Sequence, residues 1–287
     1  MPKVEMISGM SFADYANIDA VNASTLLTYW GVTPAEARYI QTRGDDDTTA
    51  KTVGSATHAA ILEPDTFEQT FATQPSAAGL GFGDFRTRES RQKRDAWLAE
   101  HEDCVTITSA EYQAAIAMRD GVRRDKFLAG LLTSPGKNEL TLLWTDEESG
   151  LKCKARLDRI TTYRGWNTLI DVKTTRALDD YSLQKSIAMY HYHIRMCWYL
   201  DALQLCFDDK KEIRVFLLWV LNKPPYIGRV TEFEDDGLRE GRMQYQRLFK
   251  LHADCLAANS WPGYPVGEQP IELPDWAFEL TTKGGTR

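Results

Sequence analysis

The sequence predicts an α/β fold, an αβββαβ-type core preceded by a mainly helical N-terminal elaboration. Three observations predict this fold. Two runs within residues 151–175 alternate apolar and polar residues, as the half-buried strands of a hairpin do. Residues 179–207 have the periodicity of one long helix. Two strand-like segments, 212–220 and 226–233, and an amphipathic helix over 235–258 then close the core.

Composition and charge restrict the class of protein. The 287 residues are 43% hydrophobic and 26% charged, which is the balance of an ordinary globular protein. No apolar run approaches the ~20 residues of a membrane span, and the N-terminus lacks the apolar core of a signal peptide, so we expect no membrane and a cytoplasmic location. A net charge of −7 does not suit non-specific coating of nucleic acid. A DNA-acting enzyme of this charge must concentrate its positive residues locally.

The N-terminal elaboration contains one candidate site residue, His58. Residues 48–62 have helical spacing and end at Glu63-Pro64. Gly54 and His58 lie one turn apart on one face of this helix, so the histidine could bind a metal or a phosphate. On spacing alone, a lone helical histidine is more often structural.

A basic segment follows the glycine-rich residues 79–85. Such a segment, if flexible, could track a phosphate backbone or a single strand. A solvated helix start that leads to Trp97 explains the same charges equally well. The positive residues are Arg86, Arg88, Arg91, Lys93 and Arg94.

The predicted hairpin brings two carboxylates together. A tight turn centred between Arg164 and Gly165 pairs residues whose numbers sum to 329, because antiparallel partners count outward symmetrically. Asp158 then faces Asp171, with roughly 4.5–5.5 Å between their Cβ atoms. Lys173 lies two residues after Asp171 and therefore on the same face of the sheet.

Two adjacent acids are costly to bury unless a cation lies between them. Oxygen ligands in this number suit Mg²⁺ or Mn²⁺, and Lys173 would then stand beside a water or a phosphate oxygen. Glu139, at the start of the preceding predicted strand, could add a further carboxylate to the pocket. The pattern indicates metal-assisted phosphodiester hydrolysis. The competing interpretation of these charges is a solvated polar face of the sheet.

The long helix carries candidate DNA contacts. Tyr192, Arg195 and Tyr199 follow at i, i+3 and i+7, so they share a face that could hold a phosphate and a sugar or base. A core edge with exposed polar tips is the alternative. The tail, residues 259–287, is rich in proline and aromatic residues and is expected to pack over the core as a strap.

The order of His58, Asp158, the Asp171-Val172-Lys173 triplet and Tyr199 resembles the PD-(D/E)XK nuclease superfamily. The closer resemblance is to the C-terminal nuclease domain of the RecE (exonuclease VIII) family. It rests on VGSATHAAILEPDTF, LKCKARLDRI, LIDVKTT, YHYHIRMCWYLDAL and SWPGYP. It implies a restriction-endonuclease-like core, a central mixed sheet flanked by helices. We therefore expect one nuclease domain over 1–287, with a helical part at 1–135, the core sheet and helices at 136–258 and the strap at 259–287.

The resemblance also implies an activity and a set of roles. It implies a Mg²⁺-dependent exodeoxyribonuclease that degrades the 5′-ended strand of linear duplex DNA and leaves 3′ overhangs for phage-type recombination by strand annealing. Asp158, Asp171 and the Val172 carbonyl would bind the metal, and Lys173 would position or help deprotonate the attacking water. His58 would complete a second metal site or bind the scissile phosphate. A RecT-like annealing partner, a ring-shaped homo-oligomer, with a tetramer favoured, and a phage or prophage origin in a bacterial cell are implied as well.

One departure and two alternatives accompany the resemblance. Related enzymes usually carry Gln-x-x-x-Tyr on the helix after the lysine, whereas Arg195 replaces the glutamine here and Tyr199 is retained. An arginine still suits a phosphate. The five cysteines are dispersed without a C-x-x-C pair, so we expect no iron–sulfur cluster. The alternatives are a non-catalytic DNA-binding scaffold of the same fold and a structure-specific endonuclease.

Overall fold

The computed structural model describes residues 3–43, 49–207, 211–268 and 270–274. Its strands are β1 (Glu5–Ile7), β2 (Phe71–Thr73), β3 (Val105–Ile107), β4 (Gly136–Thr145), β5 (Lys152–Tyr163), β6 (Trp166–Thr175), β7 (Ile213–Leu221) and β8 (Gly228–Glu232). Its helices are α1 (Phe12–Asn17), α2 (Ala23–Leu27), α3 (Pro34–Arg43), α4 (Thr49–Leu62), α5 (Phe67–Thr70), α6 (Arg88–Glu100), α7 (Ser109–Arg124), α8 (Lys126–Thr133), α9 (Asp180–Met189), α10 (Tyr192–Gln204) and α11 (Asp235–Ala258), with a short 3₁₀ helix at Ala78–Leu80.

Six of the described strands form one mixed sheet in the order β1-β4-β5-β6-β7-β8. β6 and β7 are parallel, and the other neighbouring pairs are antiparallel. The parallel pair requires a crossover, which α9 and α10 provide. β2 and β3 form a separate two-stranded parallel sheet that the sequence did not predict.

Helices cover both faces of the central strands. Successive side chains of β6 point to opposite faces of the sheet, and both faces carry apolar side chains that the helices bury. Leu169 packs in one cluster with Leu26 of α2, Met196 of α10 and Leu248 of α11. Ile170, its neighbour, packs in a second cluster, whose members from α4, α7 and α8 include Leu62, Met118 and Leu131. Each fully buried side chain of this kind contributes about 1.5–3 kcal/mol. The predicted fold class, a mixed sheet flanked by helices, is confirmed.

The helix predicted over residues 179–207 is two helices, so that prediction is wrong. Asp179 begins α9 by accepting a hydrogen bond from the Ser182 N–H at 3.0 Å. α9 ends at Met189, and α10 begins at Tyr192. Between them His191 has φ of 55°, a left-handed conformation that a right-handed helix cannot continue through.

The N-terminal residues contribute to the core sheet, which the sequence did not predict. β1 pairs with β4 at the sheet edge, and Val21 forms an isolated bridge with Cys153. Lys154 of β5 is buried and donates hydrogen bonds from its Nζ to the Tyr15, Ala16 and Ile18 carbonyls. These bonds satisfy carbonyls at the end of α1, so the N-terminal segment is held against β5.

The described part of the tail contacts α3. The Ala35 N–H donates to the Pro262 carbonyl at 3.2 Å, and the Arg38 guanidinium lies 4.6 Å from the Trp261 ring centroid. Beyond Pro262 the described tail is exposed, including Tyr264, Val266 and Ile271, so the expected packing over the core is seen only at Trp261 and Pro262. The single-domain organisation stays a prediction. Among the described residues, no helix combines the length and the hydrophobicity that crossing a bilayer requires.

Candidate metal and nuclease site

The β5–β6 hairpin has the predicted register. Its turn residues, Arg164 and Gly165, have φ of 50° and 84°, and positive φ at both central residues characterises the two-residue type I′ turn. Pairs from Tyr163↔Trp166 to Arg159↔Ile170 all obey the predicted sum. The next position in this register sets Asp158 opposite Asp171, which is where the ladder ends.

The β5–β6 backbone pairing is interrupted at that position because the Asp158 side chain, and not a β5 carbonyl, accepts the next hydrogen bond from β6. Asp158 Oδ2 accepts a hydrogen bond from the Val172 N–H at 2.7 Å. On the other side of β5, the pairing with β4 also skips one position, between Asn138↔Arg159 and Leu140↔Leu157. The skipped residue of β4 is Glu139, whose φ of 49° is left-handed. Two adjacent ladders are therefore interrupted at the same level of the sheet.

Three potential metal ligands converge at this interruption. Ligand atoms of His58, Glu139 and Asp158 all lie within 4.8 Å of one another. His58 projects from α4, and its Nδ1 lies 3.3 Å from Asp158 Oδ2. Two carboxylates and one imidazole fit a divalent cation, and the predominance of oxygen favours Mg²⁺ or Mn²⁺. The identity of the metal remains a prediction.

Glu139 lies at an unfavourable place for a negative charge. Burial and the nearby Asp158 raise the pKa of the Glu139 carboxyl to about 7, although Arg156 opposes the shift. Arg156 Nε donates to Glu139 Oε2 at 2.6 Å, and its Nη1 donates to the Met10 carbonyl at 2.7 Å. A cation in the cluster would relieve the repulsion between the two carboxylates.

Asp171 and Lys173 form an ion pair beside the cluster. Asp171 is 2% exposed, and its Oδ2 contacts Lys173 Nζ directly. Burial raises the pKa of Asp171, and Asp158 adds to this shift while Lys173 opposes it. Burial would lower the pKa of Lys173, but Asp171 and Asp158 outweigh it and raise that pKa to about 12. The pairing with Asp171 therefore favours the protonated form of Lys173, which can orient a water or a phosphate.

The Val172 carbonyl, a predicted metal ligand, contacts the lysine of the ion pair. It accepts a hydrogen bond from Lys173 Nζ at 3.1 Å, which leaves one of its lone pairs for another partner. All five predicted metal ligands thus lie near the interruption of the sheet. His58, Glu139 and Asp158 form the cluster, whereas Asp171 is occupied by Lys173.

The three predicted DNA contacts on α10 lie on the lysine side of the site. Lys173 Nζ is 5.3 Å from the centroid of the Tyr192 ring. Arg195 is hydrogen-bonded to Tyr199 and is close enough to Asp171 to interact with its charge. Arg195 Nη1 also donates to Ser24 Oγ at 3.1 Å. Burial is the main cause of the raised pKa of Tyr199, so this phenol stays neutral.

The predicted arginines of the basic segment make none of the contacts described above for the site. Arg88 and Arg91 lie on α6, which packs against the 3₁₀ helix at Ala78–Leu80. Thr87 caps α6 by accepting from the Ser90 N–H at 3.1 Å, so the interpretation as a helix start is correct here. Arg86 precedes the helix and has a largely exposed side chain. Contact of Arg86, Arg88 and Arg91 with DNA stays a prediction.

Sequence reasoning missed Arg156 and Ser24. Arg156 lies two residues before Asp158 on the same strand, and this period of two is the signal that could have identified it. Ser24 is remote in sequence from Arg195, and nothing in the local pattern indicates their contact.

A sizeable groove lies away from the candidate site. This groove of about 910 Å³ lies between the β4–β5 turn, α10 and α11, and its lining includes Trp144, Trp198 and Tyr245. None of the predicted site residues lines it.

Comparison with known proteins places the fold and the family of this chain. A crystal structure of a candidate exonuclease from Eubacterium rectale superposes with a TM-score of 0.55 at 15% identity, over 96% of this chain and 100% of that one. Protein VC1899 from Vibrio cholerae aligns over 90% of this chain and 60% of that one, at 11% identity and a TM-score of 0.26, too low to support an argument. No protein of curated function matches the sequence. Residues 32–269 match a known family, and the chain belongs to it: the PDDEXK-like domain of unknown function (DUF3799).

Proposed function

We propose that this protein is a metal-dependent DNA nuclease that cuts phosphodiester bonds at the interrupted sheet. One observation supports the proposal above the others. The cluster of His58, Glu139 and Asp158 and the ion pair of Asp171 with Lys173 lie at the same opening of the β5–β6 ladder. A site with negative ligands on one side and a protonated lysine on the other suits a phosphodiester, which must be both neutralised and attacked.

The residues of the candidate site have different proposed roles in the reaction. His58, Glu139 and Asp158 would hold the divalent cation, and Asp171 borders the same space. When bound, the cation supplies positive charge to the phosphate and makes a nearby water more acidic. Lys173, held protonated by Asp171, stabilises the negative charge that grows on the phosphate oxygens. Arg195, which lies close enough to Asp171 to interact with its charge, would bind an adjacent phosphate as a second cation.

The finer proposal is a RecE-like exonuclease that degrades the 5′-ended strand of linear duplex DNA and leaves 3′ overhangs for recombination by annealing. The sequence resemblance supports it, and so does the description of the Eubacterium rectale relative as a candidate exonuclease. Mg²⁺ is the proposed metal, with Mn²⁺ as a substitute. The same proposal includes a ring-shaped homo-oligomer, a RecT-like annealing partner and action in the bacterial cytoplasm, as a phage or prophage product.

Digestion of a linear duplex labelled at either 5′ or 3′ end, with Mg²⁺ or with EDTA, tests the proposal. Asp158→Asn removes one ligand charge but keeps an oxygen that can accept from the Val172 N–H. We expect it to lower turnover about 1,000-fold, because several kcal/mol of transition-state stabilisation depend on the cation. The control is Asp254→Asn, which removes an exposed carboxylate that pairs with Lys250 on α11.

The outcomes separate the activities. Mg²⁺-dependent early release of the 5′ label, lost in Asp158→Asn and retained in Asp254→Asn, supports the exonuclease. Cutting of a closed circular duplex would instead support an endonuclease. DNA binding without cutting of any substrate would favour a non-catalytic scaffold and contradict the proposal.

A further inference from the structure

The junction between α9 and α10 carries an aromatic surface that the proposed chemistry does not use. Tyr190 and His191 connect the two helices, and Tyr192 begins α10. Trp30 packs on His191, with 4.3 Å between their ring centroids. Tyr190 is 59% exposed, so one side of its ring is open to solvent.

This surface is continuous with the candidate site. The rings of Tyr190 and Tyr192 are stacked, with centroids 5.6 Å apart and planes at 30°. Tyr192 in turn lies 5.3 Å from Lys173 Nζ, and its other neighbour is the buried Trp219, at 5.8 Å between centroids. The ring nearest the lysine is therefore held in place, and Tyr190 extends the stack outward.

The backbone conformation at His191 creates the stack. In a continuous helix, residues i and i+2 do not face each other, so Tyr190 and Tyr192 could not stack. His191 has φ of 55° and ψ of 38°, and this left-handed residue turns the chain so that the two rings meet. Strained backbone of this kind persists only where the surrounding structure holds it, here by the contact of His191 with Trp30.

We propose that Tyr190 stacks on an unpaired nucleobase of the strand whose phosphate lies at Lys173. The inference rests on the proposed function and adds a substrate class: DNA ends whose terminal bases are frayed or single-stranded. A base inside a duplex is stacked on both faces, so a protein ring can stack only on a base at a DNA end or on one that has left the stack, and a frayed or single-stranded end offers such bases. Lys173 and Arg195 supply the positive charge for the backbone of the same strand, and stacking tolerates any base because every base has a π-face.

Binding of a short single-stranded oligonucleotide tests the inference without any catalysis. The probe carries 2-aminopurine as its 5′-terminal base, whose fluorescence is quenched by stacking, and the buffer contains EDTA. Wild type is compared with Tyr190→Ala, Tyr190→Leu and Tyr190→Phe. The matched control is Tyr181→Ala, because Tyr181 is 74% exposed near the start of α9, the helix that leads to Tyr190, about 13 Å away along its axis.

We expect Tyr190→Ala and Tyr190→Leu to bind the probe roughly 5- to 100-fold more weakly and to lose the quenching. Tyr190→Phe and Tyr181→Ala should behave as wild type, because the first keeps the ring and the second lies outside the stack. Unfolding midpoints of all variants confirm that each is folded, which an exposed position should permit.

Three outcomes would each overturn the inference. The first is that Tyr190→Ala quenches the probe as strongly as wild type. The others are that Tyr181→Ala loses as much binding and quenching as Tyr190→Ala, or that wild type does not bind the probe. The result is separable from the proposed function. A wild type that digests duplex DNA but shows no dependence on the ring at position 190 leaves the nuclease and removes the stacking site. A wild type that stacks the base but digests no DNA supports the stacking site and contradicts the nuclease.

Discussion

The two carboxylates that face each other across the hairpin have opposite electrostatic surroundings. Asp171 is buried and already has a cation, Lys173, on its own strand. Asp158 instead lies with Glu139 and His58, so a second acid is its neighbour. Arg156 partly compensates this cluster by pairing with Glu139.

The difference shows which half of the site is complete without a metal. Asp171 and Lys173 meet because residues two apart on a strand share a face. Their opposite charges cancel, so this pair is neutral without a metal. The cluster around Asp158 draws on β4, β5 and α4, and it gains most from an external cation. The following predictions test this asymmetry, from the largest expected effect to the smallest.

Lys173→Met in EDTA should lower the free energy of unfolding by about 3–5 kcal/mol. The substitution leaves the Asp171 carboxylate buried without its partner, and removal of one member of a buried ion pair has a cost of this size. Asp158→Asn should change it by less than about 1 kcal/mol, because the hydrogen bond from the Val172 N–H is retained.

Urea unfolding measures both changes. The control is Lys250→Met, which breaks an exposed pair with Asp254 and should cost at most about 1 kcal/mol. Equal losses for Lys173→Met and Lys250→Met would show that the buried pair is not the completed half of the site.

Between pH 5 and 8, Glu139→Gln should stabilise the metal-free protein increasingly up to about pH 7 and by a constant amount above it. Below the ordinary pKa of 4.5, Glu139 is protonated in both the folded and the unfolded chain, so ionisation has no effect. Between 4.5 and the folded value of about 7, only the unfolded chain ionises, and the wild type loses stability. The difference levels off above pH 7 at up to about 3 kcal/mol.

Unfolding of wild type and Glu139→Gln across this pH range, in EDTA, measures the effect. Glu148→Gln, in the exposed turn between β4 and β5, is the control and should show no such trend. A pH-independent difference for Glu139→Gln would mean that Arg156 neutralises the carboxylate fully.

His58→Ala should weaken Mn²⁺ binding about 10- to 100-fold, since even the loss of groups that support metal ligands has effects of this size. His101→Ala is the control, because His101 stacks on Trp97 and belongs to the α6 region. Titration calorimetry measures both affinities. Unchanged Mn²⁺ affinity in His58→Ala would remove the histidine from the metal cluster.

Part of this architecture could be predicted because it depends on short-range rules. The turn at Arg164-Gly165 sets the hairpin register, and the period of two sets Asp171 and Lys173 on one face. The break at His191 could not be predicted in this way, because residues 179–207 have continuous helical spacing. Its left-handed backbone is accompanied by a contact with Trp30, which is 161 positions away in the sequence.

The amino-acid sequence by itself determined strands β4 to β8, the facing aspartates and the lysine beside them, because strand period and turn chemistry act between near neighbours. The tertiary structure decided which of these groups form the candidate metal-binding cluster. Glu139 turns toward Asp158 only because its backbone is left-handed and the β4–β5 ladder skips a position, and His58 reaches Asp158 only because α4 packs over β5 and β6. Interactions between residues so distant in sequence are fixed by packing, and no local pattern encodes them.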